Sequence, residues 1–237
     1  SYTRATAEDP NDPSAYEALD SLYSKAGKFP ELSEVLGRRV EVEEDPDTKV
    51  ELGLRLAQLE ETQLSRPQQA IDALLGVLSL QEGHPDAVVS LARLYERQAM
   101  WPELLDILRV QAERAGAPEL EVGFIHRAGS VLERELDDVL EALEMYRRAL
   151  AIDPSHKPSL DALTRISQLA DYREQAAEIL EPLLRAQGMH DGLAALLQLR
   201  ADGTGDPFEK KTILRQLAET HEQGRNNPNA AFDTLRQ

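Results

Sequence analysis

Apolar residues recur along most of the chain at the three- and four-residue spacing of a helix that buries one face. In the segment 85–99, Val88, Leu91, Ala92 and Tyr95 follow this spacing. Prolines stand at the starts of many such segments, where a helix tolerates the missing backbone N–H. No alternating β-branched run reaches the length of a strand. The pattern therefore predicts an all-α chain.

Proline and glycine punctuation divides this pattern into about thirteen predicted helices. They cover 13–26, 29–44, 47–64, 67–82, 85–99, 101–115, 118–136, 138–152, 156–170, 172–187, 190–201, 207–223 and 227–236. Pro182 lies inside the tenth segment. Because an interior proline removes a backbone donor and crowds the preceding turn, we expect a kink or a break there.

The helices repeat as a larger module. The stretch FPELSEVLGRRVE from Phe29 aligns with WPELLDILRVQAE from Trp101, so equivalent positions stand 72 apart in the numbering, which we call the short register. A third copy aligns at a spacing of 89, the long register, as from Ala142 to Ala231. The difference of 17 positions predicts one extra helix, placed most simply at 172–187. Such self-similarity is typical of repeat arrays, in which each unit packs only on its neighbours.

These repeats contain both halves of a known helical-hairpin sequence motif. They are L-[GA]-x2-Y, present as Leu91, Ala92 and Tyr95, and A-x3-[FY]-x2-A-x4-P, present as Ala142, Tyr146, Ala149 and Pro154. From about Pro13 onward, the chain resembles the tetratricopeptide repeat (TPR) family, in particular the long arrays of some bacterial proteins. The resemblance implies a right-handed α-α superhelix, a TPR-like solenoid of antiparallel helices.

The resemblance also suggests how the chain is organised. We expect 13–237 to form a single TPR-like solenoid, with 1–12 as a flexible leader or the end of a preceding repeat. The last predicted helix is one to two turns shorter than its counterparts. On this basis, the sequence is expected to be a fragment of a longer array.

The charge balance narrows the choice of partners. Lys and Arg number 26 against 43 Asp and Glu, a formal net charge of −17. Nucleic-acid binding draws on basic residues that neutralise phosphates, so a nucleic-acid partner is disfavoured. No apolar run approaches the ~20 residues of a membrane span, which argues against membrane insertion. The compartment stays open, with the cytoplasm as first choice and a secreted or periplasmic location as the alternative.

Catalytic and metal-binding patterns are missing from the sequence. The five histidines form no HExxH pairing, the chain has no cysteine, and no nucleophile elbow or phosphate-binding glycine loop occurs. The acidic stretch 41–47 lacks the alternating spacing and the glycine of a calcium loop. We therefore predict a non-enzymatic protein without a cofactor or a metal.

The resemblance places partner binding on the concave groove that the first helices of TPR hairpins line. The candidate partner-binding residues on this groove are Gln58, Arg93, Arg97, His126, Arg134 and Arg165. Arg93 and Arg165 recur in the short register, and the arginine fork matches the two oxygens of a carboxylate. The alternative is that these arginines pair with nearby acids such as Glu96 and Asp161.

Three functions follow from these observations. The first is a non-catalytic protein–protein interaction scaffold that binds partner segments in the groove or along the edges of the array. The second is a structural element that self-associates end to end through uncapped terminal repeats. The third is an array attached to a catalytic domain that lies outside this sequence. Gln58, Arg93 and Ser130 do not supply the Lys/Asn clamp of TPR domains that bind chaperone tails, so that ligand is disfavoured.

Overall fold

The computed structural model describes residues 13–236, and the predicted leader at 1–12 lies outside the described residues. The described part is all-α, with no strand. Its thirteen α-helices are α1 Pro13–Ala26, α2 Phe29–Val42, α3 Pro46–Thr62, α4 Pro67–Leu80, α5 Pro85–Arg97, α6 Trp101–Glu113, α7 Pro118–Arg134, α8 Val139–Ile152, α9 Lys157–Ser167, α10 Arg173–Ala186, α11 His190–Gly203, α12 Pro207–Glu219 and α13 Pro228–Leu235. A 3₁₀ turn at Ala170–Tyr172 precedes α10, and a π turn at Thr220–Gly224 follows α12. The all-α prediction and its helix order are confirmed.

Local sequence explains where several helices begin. The carboxylate of Asp45 accepts the backbone N–H of Thr48 at 2.9 Å and thereby caps α3. Asp138 caps α8 in the same way, and Asn227 caps α13. Such side chains satisfy amide donors that the first helical turn leaves unpaired. The acidic stretch before α3 therefore has a structural role at Asp45.

The helices group into two compact units, Ser1–Ile107 and Leu108–Gln237, and the unit boundary falls within α6. In the first unit, each of α1 to α4 packs against the next helix along the chain. In the second unit, each of α7 to α12 does the same. This succession of neighbouring antiparallel helices is the TPR-like arrangement that the motif residues predict. None of the helices in the described part combines the length and the apolar character needed to cross a bilayer.

Two kinds of turn show that the repeat is structural as well as sequential. Ser65, Asp137 and Asn226 all adopt left-handed backbone angles, with φ of 54°, 54° and 49°. Each lies in the turn between the two helices of a hairpin. Asp137 follows Ser65 in the short register, and Asn226 follows Asp137 in the long register. A second kind of turn contains Gly27, Ala99 and Gly188, which recur in the same two registers with φ of 65°, 54° and 66°. The backbone thus follows both sequence registers.

The change of register between these landmarks locates the extra residues. Arg165 of α9 keeps the position of Arg93 of α5 in the short register. The turn after α10 instead repeats the turn after α5 in the long register: the N–H of Met189 bonds to the carbonyl of Leu184, as Met100 does to Tyr95. The shift therefore occurs between Arg165 and Leu184. Two helices therefore correspond to α5: the start of α9 matches it in the short register, and the end of α10 matches it in the long register.

Of the kink or break expected at Pro182, the break does not occur, because α10 continues as one helix from Arg173 to Ala186. The kink stays a prediction. Pro182 points to the exposed side and removes a single backbone donor. Leu180 and Leu184, on either side of it, are buried and hold both halves of the helix against the core. Packing outweighs the lost hydrogen bond.

Small residues let helices of a pair approach closely. Ala57, Ala142 and Ala149 are all at most 4% exposed. At Gly129 of α7, an added Cβ would lie 2.8 Å from the ring of Tyr146 on α8. A glycine is thus required where α7 crosses Tyr146, the largest fully buried side chain of the described residues.

Candidate functional site

The first-unit site is built around the carboxylate of Glu61, near the end of α3. Arg93 of α5 donates to both carboxylate oxygens of Glu61, and Arg97 donates to one of them at 2.7 Å. The Glu61 side chain is only 11% exposed, whereas the two arginines are half exposed. Two cations therefore share one anion in this cluster of three side chains.

A cavity of about 360 Å³ opens beside this cluster. Gln58, Glu61 and Arg93 supply its polar side chains, together with Asp86 and Ser90 of α5. Leu54 and Leu74 add apolar surface. The space is large enough for one amino-acid side chain and offers both charged and apolar contacts.

The second-unit site repeats the first with a different set of neighbours. Glu133 and Arg165 are the short-register counterparts of Glu61 and Arg93. Arg165 again binds both carboxylate oxygens, at 2.8 and 2.9 Å. The third partner is now the buried hydroxyl of Tyr146, which donates to Glu133 at 2.8 Å. Leu169 occupies the position of Arg97, so the ion pair is retained while its second arginine is replaced by a phenol.

A buried polar cluster adjoins the second-unit site. The hydroxyl oxygen of Ser159 lies 3.1 Å from Nδ1 of His126 and 2.8 Å from Nδ1 of His156. A hydroxyl has one proton to donate, so it can donate to one ring while it accepts from the N–H of the other. The ring of His126 also lies 5.4 Å from that of Tyr146. Because Ser159 is fully buried, its hydroxyl has no access to a substrate.

The charges of both sites respond to these surroundings. The hydrogen bond from Arg93 lowers the pKa of Glu61, and the same bond raises the pKa of Arg93. Burial is the main cause that lowers the pKa of His126 to about 4, with His156 and Arg134 adding repulsion. Burial also raises the pKa of the Tyr146 phenol above its usual range. His126 is therefore neutral, and both glutamates lie among cations or donors, at pH 7.

The structure distributes the six predicted groove residues over the two units. In the first unit, Gln58 and Arg93 line one cavity, and Arg97 joins Arg93 on Glu61. In the second unit, His126 contacts the Tyr146 that binds Glu133, which also holds Arg165. Arg134 is the exposed last residue of α7. Their binding role remains a prediction.

The structure bears out the alternative that the two arginines pair with acids, although the observed pairs differ from the two examples given. The ion pairs run from Arg93 to Glu61 and from Arg165 to Glu133, each on the preceding first helix. A helix-to-helix pair of this kind spans 32 residues in sequence. Sequence reasoning had a usable signal here, because the two glutamates recur in the same register as the two arginines.

Comparisons with known proteins place the chain beside TPR structures. A TPR protein from Parabacteroides merdae is 12% identical over 94% of this chain and 97% of its own, with a TM-score of 0.45. The C-terminal part of a TPR repeat-containing protein from Cytophaga hutchinsonii is also 12% identical, over 100% of this chain and 92% of its own, with a TM-score of 0.44. YrrB, described as a TPR protein with an unusual peptide-binding site, is 16% identical over 100% and 89% of the two chains, with a TM-score of 0.31.

Sequence comparisons add no relative to these structures. No protein-family model matches the chain. No curated protein matches it either. The assignment of a TPR-like fold therefore rests on the helix pairs and motif residues described above.

Proposed function

We propose that the chain is a non-catalytic scaffold that binds segments of partner proteins. The observation that carries this proposal is the cavity of about 360 Å³ beside Glu61, where two arginines share one carboxylate. Arg93 already binds Glu61 through two hydrogen bonds. Arg97 is 59% exposed and is the cation with spare capacity. A partner carboxylate can therefore accept hydrogen bonds from Arg97.

The cavity lining suggests which segment fits. Leu54 and Leu74 can receive a small apolar side chain next to the carboxylate, while Gln58 and Ser90 can bond to the partner backbone. A segment with an acidic residue beside a small apolar one matches this surface. Because Arg97 is exposed, the ion pair contributes about 0.2–1 kcal/mol.

The experiment compares partner recovery by three forms of the full chain: wild type, Arg97→Gln and Arg38→Gln. Arg38 is the matched control, because it is an exposed arginine that pairs with Glu41 on its own helix. Recovered proteins are quantified by mass spectrometry, and their binding segments are mapped on peptide arrays. We expect a set of partners whose binding falls about two- to fivefold with Arg97→Gln and is unchanged with Arg38→Gln. Identical recovery by all three forms would contradict the proposal.

A second candidate function is self-association through α13. Phe232 and Leu235 are each 62% exposed, whereas Leu143 and Tyr146, their counterparts in the long register, are buried. Apolar side chains at positions that are buried elsewhere favour a covering partner. Sedimentation velocity over a range of concentrations tests this: association that Phe232→Glu abolishes supports it, and a monomer at all concentrations rejects it.

A further inference from the structure

A second and larger groove lies away from the Glu61 and Glu133 sites, between α8 and α10. Its open volume is about 650 Å³. The α8 wall is formed by Leu140, Leu143, Leu150 and Ala151, and the α10 wall includes Ile179. Pro182 and Leu183 extend that second wall. Both sides of the groove are predominantly apolar.

The apolar surface of the groove reaches solvent. Leu140 is 56% exposed at the start of the α8 wall, although Leu143 and Leu150 below it are buried. The short-register counterpart of Leu140, in the preceding copy of the module, is the polar residue Gln68. A leucine at an exposed helix position, continuous with buried leucines, is what an apolar docking surface requires.

The length of the groove matches a short helix. The α8 wall runs from Leu140 to Ala151, which at the rise of an α-helix is about 16 Å, or three turns. A helix that binds a groove through side chains at i, i+4 and i+7 needs about 10 Å between its first and last anchor. An amphipathic helix of three to four turns therefore fits along the walls.

The charged side chains at the rim of the groove determine which charge a bound helix should carry. Glu144 and Arg147 pair with each other across one turn of α8, so their charges cancel. Glu178 of α10 is exposed, and within the described part of the chain no cation forms an ion pair with it. The rim thus carries one negative charge in excess. A second copy of this chain would bring its own net charge of −17 against it.

We propose that the groove between α8 and α10 binds a basic amphipathic helix of a partner protein. Its apolar stripe contacts Leu140, Leu143 and Ile179, and a lysine or arginine beside the stripe pairs with Glu178. This surface shares no residue with the Glu61 and Glu133 sites. The chain can therefore hold one segment at a polar site and a separate helix here.

The probes are two synthetic helical peptides with the same leucines at i, i+4 and i+7. Each is about 15 residues long, because shorter isolated helices are only marginally stable in water. One carries lysines on its remaining faces and the other carries glutamates. Binding of each peptide to the full chain is measured by fluorescence anisotropy at two salt concentrations. We expect the basic peptide to bind at least tenfold more tightly than the acidic one, and the difference to shrink at high salt.

Substitutions then locate the binding. Leu140→Glu weakens the basic peptide at least tenfold, and Glu178→Lys weakens the basic peptide and strengthens the acidic one. The matched control is Val89→Glu, which places the same charge on an exposed apolar position of α5 and leaves both affinities unchanged. Leu140→Gln, the residue of the first module, is the milder variant if the charged one perturbs folding, which circular dichroism monitors.

Several outcomes overturn the proposal. Basic-peptide affinity that is the same with Leu140→Glu as with wild type places the binding elsewhere. An acidic peptide that binds as tightly as the basic one removes the role of Glu178. A dimer of the chain that Leu140→Glu dissociates assigns the groove to a second copy instead.

Discussion

The two polar sites differ in what surrounds the same ion pair. At Glu61, a second arginine, Arg97, completes the cluster, and two of the neighbouring positions, Leu54 and Ala87, are apolar. At Glu133, Tyr146 replaces that arginine as third partner, and three polar side chains fill equivalent positions. His126 stands where the first module has Leu54, Ser159 where it has Ala87, and His156 where it has His84. One site keeps an open cavity, and the other has become a buried polar network.

This difference shows what selection on a repeat can change without altering its geometry. The turns and the glutamate–arginine pairs recur in both modules, so the frame is the same. In the first module, Nδ1 of His84 is buried without a hydrogen-bond partner. Its counterpart His156 finds one in Ser159, because the second module replaces an alanine by a serine. Single substitutions on a fixed frame thus separate an open cavity from a polar network.

The largest expected effect is at Tyr146, which anchors the second-unit network. Tyr146→Ala removes a fully buried ring and should lower the free energy of unfolding by about 3–5 kcal/mol. Tyr146→Phe keeps the ring and removes only the bond to Glu133, at a cost of about 1–2 kcal/mol. Urea unfolding followed by circular dichroism measures both. Equal losses for the two variants would mean that the hydroxyl, rather than the ring, holds the network.

The next effect is the pH dependence that only the second module should show. The pKa of His126 is lowered to about 4, so the folded chain binds fewer protons than the unfolded chain below the ordinary histidine value of 6.5. The stabilisation by neutral His126 is complete above pH 6.5 and is lost as the pH falls towards 4. We expect the loss to be about 2 kcal/mol.

The control for this prediction is His126→Leu, which introduces the residue of the first module. Unfolding free energies are measured from pH 7.5 to pH 4 for both proteins. The variant should lose less stability over this interval than the wild type. Identical pH profiles would show that His126 does not set the difference between the modules.

A smaller effect separates the two ion pairs. Arg93→Gln leaves Arg97 on Glu61, whereas Arg165→Gln leaves Glu133 without an arginine that donates to it, since Leu169 stands at the position of Arg97. We therefore expect Arg165→Gln to be the more destabilising change, by about 0.5–1 kcal/mol. Measuring urea unfolding of both variants checks this. Adding Arg97→Leu to Arg93→Gln should remove the difference. If it persists in that double variant, Arg97 is no substitute for Arg93.

The smallest effect concerns a turn that the modules share. Ala99 has a left-handed φ of 54°, at the position where Gly27 and Gly188 stand in the other copies. An alanine is strained there and a glycine is not, so Ala99→Gly should raise stability by about 0.5 kcal/mol after the greater freedom of glycine in the unfolded chain is subtracted. Gly27→Ala should act in the opposite direction. Thermal denaturation resolves both, and a loss of stability in Ala99→Gly would contradict the expectation.

The fold could be predicted from the sequence because the signals that determine it are local. Prolines and glycines fall at helix ends, and the observed bounds differ from the predicted ones by a few residues, as at α9, which ends at Ser167 rather than at 170. The break predicted at Pro182 does not occur, because the cost of the proline is small beside the stabilisation from the buried side chains of Leu180 and Leu184. Local rules thus fail where packing on both sides supports a helix.

The candidate site was only partly open to sequence reasoning. The arginines were found through their repetition, and Glu61 and Glu133 could have been found in the same way. The contact of His126 with Ser159 could not, because the first module has Leu54 and Ala87 at these positions and the repeat carries no signal there. A contact that exists in one copy depends on how close α7 and α9 lie, which no periodicity in the sequence encodes.

The recurring left-handed residues at Ser65, Asp137 and Asn226 also act as junctions. A chain in which Ser65 is joined directly to Asp138 would lack one complete module and would still contain the same turn, because both junctions have the same backbone path. Whole-module deletion and duplication are thus tolerated by construction at these points. The array can change its length by recombination at a joint without the need to evolve a new one.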